Sequence, residues 1–213
     1  MLCGAIAEVR AAHALLSELD STCGDGDHGT TMLRAANLVA RCVERSSGKS
    51  LEGFLGDVAW TLMGLDGGAT GPLLGSFFLG VSESIGSGNE LDARSLAEAF
   101  EAGVAALTQQ SRAHVGDKTM LDSLVPAVEA VRQTAEAGQS IEDALRAAAV
   151  AAEKGAESTK KLVAKVGRAK YLGEKTLGAQ DPGATTVSLL FKGFHEGLEN
   201  LEVQRRQLHV EKS

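Results

Sequence analysis

The sequence predicts an all-α protein, an eight-helix antiparallel up-and-down barrel or bundle, and three observations carry that prediction. Apolar residues make up 44% of the chain but aromatics only 4%, and the apolar share is dominated by alanine and leucine, which favour helices over strands. Apolar side chains recur at helical spacing in eight segments, and no stretch alternates convincingly as a strand would. The connections between segments are mostly short, which makes neighbouring helices antiparallel. A chain of 213 residues supports one sizeable core, so residues 1–213 read as a single domain.

The first helix carries Ile6, Val9, Leu15, Leu16 and Leu19 and is expected to end at Asp20. The second runs from about Thr30 to Arg45, where "SSGKS" breaks the pattern. The third covers about Leu51 to Leu65, with Phe54, Leu55, Val58, Leu62 and Leu65 on its inner face, and "DGGATG" follows. Pro72 suits the first turn of a fourth helix reaching Ile85, because a helix start has no use for the missing amide. "GSGNELD" ends it, and Ser95 with Glu98 reads as the capping box of the fifth. The sixth carries Leu121, Leu124, Val125 and Val128, and Pro126 inside it removes a backbone donor and predicts a kink. Ser140 and Asp143 mark the start of the seventh, where Ile141, Leu145 and Ala148 share a face. The eighth begins near Gly183 and passes through Val187, Leu190 and Phe194, and the last residues, 204–213, read as a frayed tail.

Charge and cysteine usage narrow the function. With 28 acidic against 21 basic residues the formal charge is −7, so neither nucleic acid nor an anionic membrane is an expected partner. Cys3, Cys23 and Cys42 form no C-x-x-C pair and suit free thiols in a reducing compartment, with the cytoplasm as the simplest address. The opening "MLCGAIAEVRAAH" lacks the basic region of a secretory signal, and no stretch approaches the ~20 apolar residues of a membrane span.

An up-and-down order puts alternate connections at the same end, and the unusual residues obey that division. "DSTCGDGDHG", "DGGATG", "SRAHVGDKTM" and "VGRAKYLGEKTLGAQDPGA" all belong to one set; "SSGKS", "GSGNELD" and "AGQS" are ordinary spacers of the other. One end is therefore expected to carry the chemistry.

Gly24, Gly26 and Gly29 satisfy G-x-G-x-x-G, but helix rather than strand precedes them, which argues against a dinucleotide fold. An EF-hand counted from Asp25 meets Gly29 and Ala36 where it needs ligands. A solvated acidic turn capping a helix is the bland alternative. Crowded together, Asp20, Asp25 and Asp27 would repel one another unless a cation sat among them, and oxygen ligands beside a phosphate suit Mg²⁺. His28 and Cys23 are too few for a zinc site, and a phosphate or backbone contact suits His28 better. Thr30 and Thr31 open the second helix, whose free amides favour an anion; the same holds for Gly68, Ala69 and Thr70 and for Asp181, Pro182 and Gly183. "GKS" at 48–50 is no phosphate loop, because Val43 replaces the required glycine and helix precedes it. The run Lys160, Lys161, Lys165, Arg168, Lys170 and Lys175 reads either as dipole compensation on a solvated surface or as a phosphate grip, with Arg168 the better phosphate candidate. Met120 is core by default, or borders an adenine.

Together "GDGDHGTT", "GGATGPLLGSFF", "GDKTMLDSL" and "GRAKYLGEKTLGAQDPGATTV", in that order, resemble the nucleotide-binding L subunit of dihydroxyacetone kinase and the equivalent domain of single-chain kinases, over nearly the whole chain. The resemblance implies an eight-helix antiparallel barrel holding ADP or ATP with two Mg²⁺ at one end. It implies Asp20, Asp25 and Asp27 as metal ligands, and His28, Gly29, Thr30 and Thr31 as phosphate contacts. It also implies Ala69, Thr70, Ser111, Met120, Arg168, Asp181, Pro182 and Gly183 around the nucleotide, with Ser111 standing where relatives carry glycine. The implied reaction moves a phosphoryl group to dihydroxyacetone, or a related ketose such as erythrulose, held covalently on a histidine of a separate K-type subunit. The three aspartates and Arg168 would carry that catalysis. The donor is free ATP or a bound nucleotide recharged by a phosphocarrier protein, and the threonines of "GDGDHGTT" side with the ATP-using chains. The alternative is a nucleotide-sensing protein that docks on a partner such as a transcription regulator, with Lys160 to Lys175 as its docking face.

Overall fold

A computed structural model describes residues 1–86 and 90–210. Its helices are α1 (Leu2–Cys23), α2 (His28–Glu44), α3 (Leu51–Met63), α4 (Thr70–Ile85), α5 (Ala93–Gln110), α6 (Leu121–Glu136), α7 (Ile141–Ser158) and α8 (Pro182–Val210), with 3-10 segments at Thr159–Lys161 and Arg168–Thr176. Among the described residues there is no strand, and no helix is long and apolar enough to cross a membrane. Each helix packs on the next in sequence and α8 returns to α1, so the ring is closed.

Boundaries shift where local chemistry outweighs periodicity. α1 continues past Asp20 to Cys23, and α2 starts at His28 rather than Thr30, which leaves a tight loop between them. The fifth helix is capped by Asp92, not Ser95. The Asp92 carboxylate accepts from the Ser95 amide at 2.7 Å while the Ser95 hydroxyl accepts from the Asp92 amide at 3.1 Å, so Ser95 fills the third position of the box. Glu98 is left to pair with Arg94. Ser140 caps α7 as expected, accepting from the Asp143 amide at 3.1 Å. α6 is helical straight through Pro126. α8 runs on to Val210, through most of the stretch expected as a frayed tail; residues 211–213, and 87–89 of the "GSGNELD" spacer, lie outside the described residues.

Inside the ring, Leu16, Met32, Leu96, Leu107, Leu121, Leu145 and Phe191 are almost wholly buried. Phe77 and Phe78 of α4, Phe100 of α5 and Phe191 and Phe194 of α8 meet edge-on or tilted, with centroids 5.5 to 6.3 Å apart, tying opposite walls of the barrel. Elsewhere the walls touch through small residues. Gly4 and Gly193 bring α1 and α8 together so closely that a Cβ on Gly4 would lie 2.1 Å from the Gly193 carbonyl oxygen. Ala144, Ala148, Ala152 and Ala156 form the fully buried stripe of α7. The single tryptophan, Trp60, lies on the outer face of α3, 67% exposed.

Candidate functional site

A cleft of about 610 Å³ opens at one end of the barrel, walled by the α1–α2, α3–α4, α5–α6 and α7–α8 connections; among the described residues, none of the other three connections lines it. Asp20, Asp25, Asp27, His28, Ala69, Thr70, Ser111, Met120, Arg168, Asp181, Pro182 and Gly183 all reach its wall. Gly29, Thr30 and Thr31 do not. Gly29 is a packing glycine, since a Cβ there would lie 1.9 Å from the His13 carbonyl oxygen of α1. Thr31 is buried against Gly67, while Thr30 faces solvent. What the start of α2 offers an anion is its first-turn amides, which have no intrahelical acceptor. The His28 amide is taken, donating to Asp20 Oδ2 at 3.1 Å.

The acidic loop is built by its glycines. The Gly24 amide closes α1 on the Asp20 carbonyl at 2.5 Å, and a Cβ on Gly24 would lie 2.2 Å from Asp20 Oδ1. Gly26 turns the chain at φ +79°. The result is that Asp20, Asp25 and Asp27 each place a carboxylate oxygen within 4.8 Å of the others. Three such charges repel one another, and a cation among them would relieve that repulsion. Arg168 supplies one positive charge by pairing with Asp25 across the cleft. The donor set itself fits a hard divalent ion: all oxygen, partly open to water, with the nearby Cys23 thiol held protonated by burial, which pushes its pKa up. His28 is not a further cation, because burial pushes its pKa below the usual value, and its Nε2 lies 2.8 Å from Thr186 Oγ1 of α8.

Two more helix starts face this loop. At α4, Ala69 and Thr70 follow Gly67 and Gly68, whose φ values of +112° and +70° turn the chain into the helix. At α8, Asp181 caps the first turn, accepting from the Ala184 amide at 2.7 Å. Burial pushes the Asp181 carboxyl up to about 7, against the pull of that amide and of the Lys118 ammonium. The folded value lies above the unfolded one of 3.8, so between about pH 4 and 7 the folded state holds the extra proton and stability falls as pH rises, levelling off above 7. Asp181→Asn removes that dependence. In urea melts of the nucleotide-free protein, the variant's stability relative to the parent is expected to climb from pH 4 to 7 and then stay flat; a constant difference would refute the raised value.

Ser111 ends α5, and its hydroxyl accepts from the Ala113 amide at 3.1 Å, so the serine at this position builds its own turn. Met120 is buried at the start of α6, against the Asp181–Gly183 turn. Part of the basic run is paired locally, Lys160 with Glu157 and Lys165 with Asp117, while Lys170 lies over the Tyr171 ring. Sequence reasoning missed Lys118, Val166 and Tyr171, which also line the cleft. Lys118 stands in the quoted "GDKTM", but a buried lysine leaves no mark in a hydrophobic pattern.

Comparison with known proteins agrees with this architecture. The chain is 37% identical over 190 residues to the ADP-binding subunit DhaL of PEP-dependent dihydroxyacetone kinase from Escherichia coli (strain K12), covering 89% of this chain and 90% of that one. It is 36% identical over 177 residues to the ADP-binding subunit DhaL of PEP-dependent dihydroxyacetone kinase 1 from Listeria innocua, covering 83% of each. The crystal structure of the C. freundii dihydroxyacetone kinase with AMP-PNP and Mg²⁺ superposes with a TM-score of 0.72 at 28% identity, over 92% of this chain and 33% of that longer one. Residues 22–196, which include every residue lining the cleft except Asp20, match the DAK2 domain, and the chain belongs to that family.

Proposed function

We propose that the chain is the nucleotide-binding phosphotransferase subunit of a dihydroxyacetone kinase of the cytoplasm, working with a K-type subunit that holds the ketose. The observation that carries this reading is the gathering of three carboxylates within 4.8 Å of one another, facing the starts of α2, α4 and α8 across one cleft. Asp20, Asp25 and Asp27 would hold two Mg²⁺, which supply charge neutralisation on a polyphosphate. The protein's own groups do the rest. The first-turn amides of α2 and α4 orient phosphate oxygens, and Arg168 exchanges its carboxylate partner for the transferring group. Met120, packed against Gly183, offers an apolar surface for the base. No nucleophile on this chain is required, because catalysis of this kind is mainly alignment and electrostatics.

The donor we propose is a bound nucleotide recharged by a phosphocarrier protein. The relatives matched over most of their length are named as ADP-binding subunits of PEP-dependent or PTS-dependent kinases, which weighs against the ATP expectation drawn from "GDGDHGTT". A second reading, exchange with free ATP, is favoured by that same motif and by the AMP-PNP complex of the C. freundii enzyme. The deciding experiment supplies the purified protein with Mg²⁺, a K-type subunit and dihydroxyacetone or erythrulose, and then either ATP or phosphoenolpyruvate with its phosphocarrier chain. Turnover is expected with the phosphocarrier and not with ATP alone. Turnover on ATP alone installs the second reading. Nucleotide binding without turnover on either donor would leave the sensor that docks on a regulator.

A further inference from the structure

The α7–α8 connection carries Arg168 and Asp181 over the cleft, and its two feet stand side by side. The Asp181 amide donates to Thr159 Oγ1 at 2.9 Å, and the Gly178 amide donates to the Lys160 carbonyl at 2.8 Å. Beneath both feet lies Lys118 of the α5–α6 connection, 3% exposed. Its ammonium donates to the carbonyl of Thr159 at 2.6 Å, on one foot, and to that of Ala179 at 2.5 Å, on the other. One side chain from a neighbouring connection therefore ties together two points twenty residues apart.

The local backbone is shaped to put it there. The Asp122 carboxylate accepts from the amides of Gly116 at 2.5 Å and Thr119 at 2.7 Å, cinching the turn on either side of Lys118. Lys118 itself sits at φ +60°, the single non-glycine positive φ among the described residues. Such a conformation in a side-chain-bearing residue persists only where its surroundings over-determine it, and it clusters at functional sites. A buried ammonium is likewise kept only where its hydrogen bonds are satisfied. The next residue back reinforces the tie: Asp117 accepts from the Lys165 amide at 3.2 Å and pairs with the Lys165 ammonium at 3.1 Å.

We propose that Lys118 is a positioning residue: by pinning both feet of the α7–α8 connection it sets where Arg168 meets the acidic loop and the nucleotide. The second half rests on the nucleotide reading above.

The test uses Lys118→Met, which keeps an unbranched stem without the ammonium, and Lys118→Gly, which also relieves the positive φ and stands in if the first fails to fold. Hydrogen exchange at the amides of Ala164, Gly178 and Asp181 in the nucleotide-free protein is expected to quicken about tenfold, as loss of a hydrogen bond from a charged donor would give. Titration with ADP and MgCl₂, at a temperature where circular dichroism shows the variants folded, is expected to give an affinity about tenfold weaker. A merely structural lysine would weaken binding independently of Arg168. A positioning lysine acts through it, so Lys118→Met added to Arg168→Ala should cost nothing beyond Arg168→Ala alone. Unchanged exchange overturns the pin outright. Faster exchange with unchanged affinity, or losses that multiply in the double variant, overturns the positioning role. Failure of the unsubstituted protein to bind Mg·ADP would instead sink the nucleotide reading and the binding half with it, while the exchange rates still judge the pin.

Discussion

Replacing Asp25 and Asp27 together by alanine is expected to abolish Mg²⁺-dependent nucleotide retention and to lower phosphoryl transfer by about a thousandfold or more, with the fold intact. The two side chains lie on a loop, not in the core, and both are exposed, so no packing is lost. What is lost is two thirds of the oxygen cluster that meets within 4.8 Å. Asp20 would remain, braced by the His28 amide, but a single carboxylate cannot hold two divalent ions against water. Arg168 would lose its partner on Asp25; both groups are about half exposed, so that costs little stability. Removal of like charges predicts that the metal-free variant melts no lower than the parent, and this readout separates a damaged site from a damaged fold. Titration calorimetry with Mg·ADP and a coupled assay with the K-type partner check the outcome. Retained activity would mean that the acidic loop is only a surface turn.

Gly193→Leu is expected to be the most damaging substitution for the fold, lowering stability by about 3 kcal/mol. A Cβ at this position would lie 2.4 Å from both Cα and N of Ala5 and 2.5 Å from the carbonyl carbon of Gly4, all backbone atoms that no rotamer change can clear. The seam it would force apart closes the ring between α1 and α8. It also joins the helix that carries Asp20 in its last turn to the helix that Asp181 caps, so the variant should bind nucleotide weakly even where it folds. Thermal and urea melts followed by far-ultraviolet circular dichroism measure the loss; a variant as stable as the parent would show that α1 and α8 are not in such close contact.

The helices were legible because their buried faces are made of large apolar residues at helical spacing, as with Leu55, Val58 and Leu62 of α3. The shared end of the four unusual connections followed from counting alone, and the cleft is walled by those four. The contacts that close the ring were not legible, although the family resemblance implied a barrel. They depend on Gly4, Gly193 and Gly197, and glycine adds nothing to a hydrophobic pattern even where two backbones touch. Ser95 resembles a cap in the sequence, but Asp92 three residues earlier accepts from the Ser95 amide and makes Ser95 the third residue of the helix. Within the site, aspartates interleaved with glycines announce themselves, and Thr70 and Asp181 lie on the cleft as expected. Gly29 belongs to the same motif for a different reason, the approach of α2 to α1. Lys118 was out of reach, since its burial and its two acceptors exist only once distant connections are folded together.

The position of Trp60 governs how any of these experiments can be watched. An indole that already spends most of its surface in water has nearly the same neighbours before and after denaturation, and it stands on a wall that a bound guest does not touch. Intrinsic emission will therefore be a dull witness to both unfolding and occupancy. A tryptophan grafted onto the rim in place of Tyr171 would give the cleft its own optical signal.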